Sequence, residues 1–393
     1  MTQLLYRLPI TRPMAGVVLT ALLIGAVARG VAVRHPNART GRRHWPRWAA
    51  VTLLLLTTEA AWGVNTYFDY LPTLGSLLGR RAADQASAAT IETASRGTTH
   101  ARRHHIALPS HGAVVQLRIP GTRSHFVGRP AEIYLPPAWF ARPRPDLPVL
   151  EMLAGTPGTP VDWTRAGFAD LALDRLAHRH GGVAPIVVMP DANGGFTADT
   201  ECVDGRQGAA ETYLAVDVPE WVARHVEPRS RSGRWGVGGL SSGGFCAAEL
   251  ALRHPDQFAL FLDYGGLDLP THTGGPQAMF PGPRWQAIRD VDSYRISRLL
   301  AGRNAAHIAG WFEVGSADGE TTRAVVRDAL DARGRLASSD LVLVHDGHHT
   351  FRVWRRAFID SVSWADRYLT HLGTAPSYDR LGLTPPHRRH QPA

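Results

Sequence analysis

Residues 235–254, WGVGGLSSGGFCAAELALRH, carry the reading that decides the fold. The first four read as a short apolar strand, and residues 244–254 read as an amphipathic helix. Between them Gly239-Leu240-Ser241-Ser242-Gly243 has the form G-x-S-x-G. A strand that bends sharply into a helix at a serine leaves that side chain standing on the outside of the bend. The glycines follow from sterics, because the serine's backbone is strained and strand and helix approach closely only where Cβ is missing. Ser241 is therefore the expected nucleophile, and the N–H of Ser242, at the helix start, is expected to point at a developing oxyanion. A phosphate-binding loop is excluded because no Gly-Lys-Ser/Thr follows. A plain glycine-rich turn fits the five residues alone, but not their strand–turn–helix setting.

Outward from this turn the chain alternates between the two periodicities. Residues 114–119 (VVQLRI) and 131–135 (AEIYL) alternate apolar and polar, as half-exposed strands do. Residues 148–153, 185–189 and 235–238 are continuously apolar, the pattern of strands buried on both faces of a parallel sheet. Further strands are expected at 259–264, 307–314 and 341–344. Helical stretches at 168–179, 213–225, 244–254, 321–333 and 354–372 separate them. The expectation is a three-layer α/β sandwich with a mostly parallel sheet and two antiparallel strands at its entry. Sites in such sheets form at the carboxyl ends of strands.

A serine needs a base, and with this kind of turn the partners follow in the order acid, then histidine. The last strand runs into His345-Asp346-Gly347-His348-His349-Thr350-Phe351. His345, His348 and His349 compete for the role, and His349 is chosen. A metal reading of this cluster lacks Cys or carboxylates at ligand spacing, so neither metal nor cofactor is expected. The acid is expected where the preceding strand ends. Glu313 lies within that strand, Asp318 lies just beyond it and is chosen, and Glu320 is the alternative acid. A second oxyanion donor is expected from the backbone of Gly155 or Thr156, after the strand at 148–153, since Pro157 has no N–H to give.

With these residues assembled, the sequence resembles the esterase-D-like branch of the α/β-hydrolases, which includes feruloyl and acetyl esterases and mycolyltransferases. The resemblance rests on residues 149–163 (VLEMLAGTPGTPVDW), 187–199 (VVMPDANGGFTAD), 211–221 (ETYLAVDVPEW), 239–258 (GLSSGGFCAAELALRHPDQF) and 349–354 (HTFRVW). It covers about residues 110–372 and is closest to actinobacterial hydrolases with N-terminal membrane spans. It implies Ser241 as nucleophile, His349 as base, and Thr156 and Ser242 as oxyanion donors. His348 stands where the family often has a second glycine, and Ala154 where it often has His or Asp.

The whole chain is 44% hydrophobic and 20% charged, which excludes fibrous and disordered classes. The net charge is +9, and all 43 basic residues are Arg. The excess sits at the ends: residues 1–104 hold thirteen Arg against Glu59, Asp69, Asp84 and Glu92. The middle is close to neutral, so nucleic acid is not an expected partner. Two apolar runs, about 14–33 and 48–64, flank a loop with Arg34, Arg39, Arg42, Arg43 and Arg47. They predict a transmembrane helical hairpin within a membrane anchor, residues 1–80, with the membrane as partner. The catalytic domain is then extracytoplasmic. A cleaved leader ending at Ala26-Val27-Ala28 is the competing reading. A linker is expected at 81–106, a catalytic domain at 107–372 and a disordered tail at 373–393. Cys202 and Cys246, both expected on the active-site side, are predicted to form a disulfide in that outside compartment.

The function expected is that of a serine esterase, hydrolysing carboxylic esters through an acyl-enzyme and a Ser241–His349–Asp318 triad. The alternatives are an acyltransferase of mycolyltransferase type acting on envelope lipids or sugars, and a non-catalytic protein on a hydrolase fold.

Overall fold

The computed structural model describes residues 9–10, 13–34, 45–77, 85–86, 108–226 and 234–371. The chain divides into two units, Met1–Ala82 with Thr350–Arg352, and Ala83–His349 with Val353–Ala393.

In the first unit α1 (Pro13–Arg34) packs against α2 (Trp45–Phe68). Thr20 Oγ1 donates to Glu59 Oε1 at 2.7 Å, and Trp62 Nε1 donates to the carbonyl of Ile10 at 2.9 Å. The Arg29 guanidinium lies 5.9 Å from the Trp48 ring centre. The two helices fall on the two apolar runs, yet among the described residues no helix is long and apolar enough to cross a membrane. This overturns the expected transmembrane hairpin, the membrane as partner and the two-span cell-membrane placement with an extracytoplasmic domain. α1 carries Arg29, and α2 carries Arg47, Glu59 and Asn65. A span needs about 20 predominantly apolar residues in succession. The expected linker lies outside the described residues except for Gln85 and Ala86, and the expected tail lies wholly outside them.

The second unit is built on a nine-stranded sheet. Its strands are β1 (Gln85–Ala86), β2 (Ala113–Leu117), β3 (Ala131–Leu135), β4 (Val149–Leu153), β5 (Ile186–Met189), β8 (Trp235–Leu240), β9 (Phe258–Tyr264), β10 (Ala309–Gly315) and β11 (Ser338–Val344). The two-residue strands β6 (Asp204–Gly205) and β7 (Gly208–Ala209) pair separately. The order is β1-β2-β3-β5-β4-β8-β9-β10-β11. β3 is antiparallel to both β2 and β5, and the six strands from β5 to β11 are mutually parallel. Every residue of β4, β5, β8, β9 and β10 is buried, including Glu151, Asp263 and Glu313 within otherwise apolar sequences.

Helices α3 (Ala169–Arg179), α4 (Val218–His225), α5 (Ser242–Arg253), α6 (Arg284–Ser293), α7 (Glu320–Ala332) and α8 (Phe351–Thr370) cover the sheet. Two successive residues of β9 show the layering. The Asp263 carboxylate lies against Gly244 of α5, and the Tyr264 hydroxyl bonds Ser361 of α8. Side chains alternate across a strand, so α5 and α8 lie on opposite faces. The uniform helix expected over 213–225 is instead a π turn, Tyr213–Asp217, leading into α4. The Asp217 carboxylate there collects Thr122 Oγ1 and the N–H groups of Arg123 and Ser124. The strands β4, β8, β10 and β11 each end at the same edge of the sheet, and each is followed by a loop carrying one of the predicted site residues.

Candidate active site

At the end of β8 the backbone of Ser241 takes φ 56° and ψ −126°, a left-handed conformation that a non-glycine residue holds only under constraint. The constraint is visible on both sides. The Ser241 N–H donates to the Tyr264 carbonyl at 3.1 Å, and its own carbonyl accepts from Gly244 N–H at 2.8 Å. A Cβ at Gly239 would run into the Gly243 carbonyl, and one at Gly243 into the carbonyls of Leu153 and Ala154. Both glycines are therefore dictated by close approach of backbone to backbone.

His349 Nε2 lies 2.8 Å from Ser241 Oγ, and His349 Nδ1 lies 2.7 Å from Asp318 Oδ2. With the proton on Nδ1, the ring donates to Asp318 and Nε2 accepts from the serine hydroxyl. The Asp318 side chain is 10% exposed and that of His349 32%. The Trp354 ring meets the imidazole edge to face, with centroids 4.8 Å apart. The rival residues are elsewhere. His345 is exposed beside Asp346, His348 is exposed, and Glu313 is buried within β10 and accepts from Trp311 Nε1. Glu320 opens α7 and lines a neighbouring cleft, without a hydrogen bond to His349 among the described residues.

Thr156 and Ser242 line the cavity around Ser241, whereas Gly155 packs beneath, against Leu240 and the Ser241 Cβ. Thr156 Oγ1 accepts from Asn193 Nδ2 at 3.0 Å and from Ser242 Oγ at 3.3 Å. These bonds tie the two loops with expected oxyanion donors to each other. Sequence reasoning did not single out Asn193, nor the clamp below it. The Arg129 guanidinium bonds both oxygens of the buried Asp191 and also donates to the Gly158 carbonyl, while Asp191 accepts from the N–H groups of Asn193 and Gly194. The Pro-Asp-Ala-Asn-Gly-Gly run at 190–195 was the available signal, since Asp and Asn there cap backbone turns.

The cavity has a volume of about 330 Å³. Pro157, Phe245, Leu267 and Leu269 form apolar lining, and Asp199, Glu201, Thr271 and Thr273 a polar side. The expected Cys202–Cys246 disulfide is present and joins the Glu201 loop to α5. Burial, with a contribution from the Asp199 charge, pushes the Glu201 carboxyl up to about 7. Beneath α5, burial also pushes the Asp263 carboxyl up to about 7, against the bond it accepts from Gly266 N–H.

Residues 128–365, more than half of the chain, match the model of the family described as "Putative esterase". The chain belongs to this esterase family. That makes it an enzyme of the ester-hydrolase or acyltransferase type, acting on carboxylic esters. A relative from Corynebacterium glutamicum, an uncharacterized protein, is 32% identical over 337 residues, covering 83% of this chain and 76% of its own. Among solved structures a ferulic acid esterase superposes with a TM-score of 0.55 at 18% identity, covering 65% of this chain and 98% of that one. An S-formylglutathione hydrolase from Agrobacterium tumefaciens does so with 0.54 at 17%, covering 67% and 98%. At such identities these two establish the α/β-hydrolase fold of the esterase and nothing finer.

Proposed function

We propose that this enzyme is a serine esterase in which Ser241, His349 and Asp318 act together. The observation that carries the reading is the pair of hydrogen bonds at 2.8 and 2.7 Å that join serine to imidazole to carboxylate. His349 takes the hydroxyl proton as Oγ attacks the ester carbonyl, and Asp318 holds the tautomer and stabilises the imidazolium. Backbone N–H groups of Ser242 and Thr156 receive the oxyanion. The imidazolium then protonates the departing alkoxide, which leaves an acyl-enzyme and free alcohol. Water, deprotonated by the same imidazole, releases the acid and restores the serine. With about a third of its side chain exposed, His349 is reachable by that water. In this reading residues 107–372 are the catalytic domain.

The test is labelling by a serine-directed fluorophosphonate, with ester turnover measured with and without an added alcohol. Labelling that Ser241→Ala abolishes, with free acid formed at a rate independent of the alcohol, is the expected result. Labelling that persists in Ser241→Ala overturns the assignment, and product that appears only with the alcohol makes the enzyme an acyltransferase.

A further inference from the structure

We propose that Glu201, together with Asp199, is a charge-selecting wall of the Ser241 cavity. It admits substrates that present a cationic or neutral hydrogen-bond donor there and turns away those that present an anion. The inference rests on Ser241 being the reacting serine and adds the chemical class of what reaches it.

Glu201 is only 4% exposed, yet it lines the cavity. Its Oε1 accepts from the N–H and hydroxyl of Thr271, at 3.0 and 3.3 Å. No bond to Oε2 is made among the described residues. Asp199 lines the same side, and its Oδ1 is buried without a hydrogen-bond partner. A carboxylate shielded from water in this way keeps its field little screened across the cavity. Neither group has a cation beside it, since no Arg lines this cavity among the described residues. Arg323 and Arg327 line the adjoining cleft, which shares only Leu267, Leu269 and Thr271 with this one. The negative field of Asp199 and Glu201 therefore acts locally, on whatever part of the ester lies beside Ser241.

The placement of Glu201 is imposed by its surroundings. Glu201 and Cys202 are consecutive non-glycine residues in the left-handed region, at φ 50° and 55°. Such a pair persists where neighbours over-determine it. Here the Cys202–Cys246 bond anchors one side and Thr271 the other. An ordinary extended or helical backbone at 201 would aim the carboxylate elsewhere.

The experiment uses two sets of matched short esters at pH 8, where Glu201 is ionised. In one set the alcohol ends in a trimethylammonium, a methyl or a carboxylate group, and in the other the acyl chain does. Matched amides, which bind without turnover, are titrated calorimetrically into the same proteins. The wild type is expected to prefer cation over anion in kcat/KM, in at least one set, by at least about tenfold. Glu201→Gln and Asp199→Asn should each shrink that ratio several-fold. A ratio near unity in both sets, or one unmoved in both variants, overturns the proposal. If no ester turns over, the serine-esterase reading fails, and the amide affinities alone decide the charge selection.

Discussion

Asp318 Oδ2 accepts from His349 Nδ1 at 2.7 Å, while Glu320, two residues further on, opens a helix and faces the adjoining cleft. The two carboxylates are thus separated by the turn at Gly319, whose φ of 60° swings the chain into α7. Ser241→Ala and His349→Ala should each lower kcat by about 10⁵–10⁶-fold, and Asp318→Asn by about 10⁴-fold, since the three act as a unit. Glu320→Gln should stay within about threefold of wild type. Steady-state kinetics on one chromogenic ester decides, and a Glu320 defect larger than that of Asp318 would reverse the acid assignment.

Arg129 and Asp191 hold the Thr156 loop after β4 from below through the Gly158 carbonyl and Asn193. The Asp191 side chain is 1% exposed, so removing its partner leaves an uncompensated buried charge. Arg129→Met should destabilise the fold by about 3 kcal/mol and lower kcat by roughly tenfold or more through a misplaced Thr156. Asn193→Ala, which removes the bond to Thr156 Oγ1 and the one accepted from Thr200 N–H, should lower kcat while costing less in melting temperature than Arg129→Met. Thermal melts beside kinetics separate the two effects; equal loss of stability in both variants would make Asn193 a packing residue.

What was legible in the sequence is what short-range patterns encode. Ser241 sits in a five-residue turn whose glycines are forced by backbone contact, and Asp318 and His349 follow the ends of β10 and β11. The less visible features depend on pairs far apart in the chain. Arg129 meets Asp191 across 62 residues, and Glu201 reaches the cavity through two left-handed residues and a disulfide. Helix α6 went unpredicted because Trp285 and Ile288, 60% and 46% exposed, blur its apolar stripe. The transmembrane reading failed because it discounted the polar residues that interrupt the two apolar runs, Arg29 in α1 and Glu59 in α2.

The Cys202–Cys246 bond closes a loop with a sequence separation of 44. In the chain-entropy model such closure stabilises by about 4 kcal/mol. Because Cys202 adjoins Glu201 and Cys246 lies five residues after Ser241, opening it should also loosen the cavity. Reduction, or a Cys202→Ser/Cys246→Ser double variant, should lower the melting temperature by several degrees. It should raise KM more than it lowers kcat, as expected when positioning of bound substrate suffers. An unchanged melting temperature after reduction, verified by thiol titration, would remove the bridge from the stability account.

Stability should peak in mildly acidic solution and fall as pH rises toward 8, which is unusual for an enzyme of near-neutral core charge. Burial pushes the carboxyls of Asp170 and Asp263 up to about 7 and those of Glu313 and Asp328 up to about 8. Between the unfolded values near 4 and these folded values, the native chain holds more protons than the unfolded chain. The stability these groups contribute is therefore present below about pH 4 and lost as pH rises through 7 to 8. Glu211 runs the other way. It is buried, but bonds to His254, Arg253 and Tyr294 bring its carboxyl down to about 2. Its contribution is present above about pH 4.5 and is lost as pH falls toward 2. Glu313→Gln keeps an acceptor for Trp311 Nε1 and removes the charge, so it should leave the melting temperature unchanged at pH 5 and raise it at pH 8. Denaturant melts across that range measure the slope. A wild-type profile that rises from pH 5 to 8, or a Glu313→Gln profile parallel to it, would show that these carboxyls ionise at ordinary values in the folded protein.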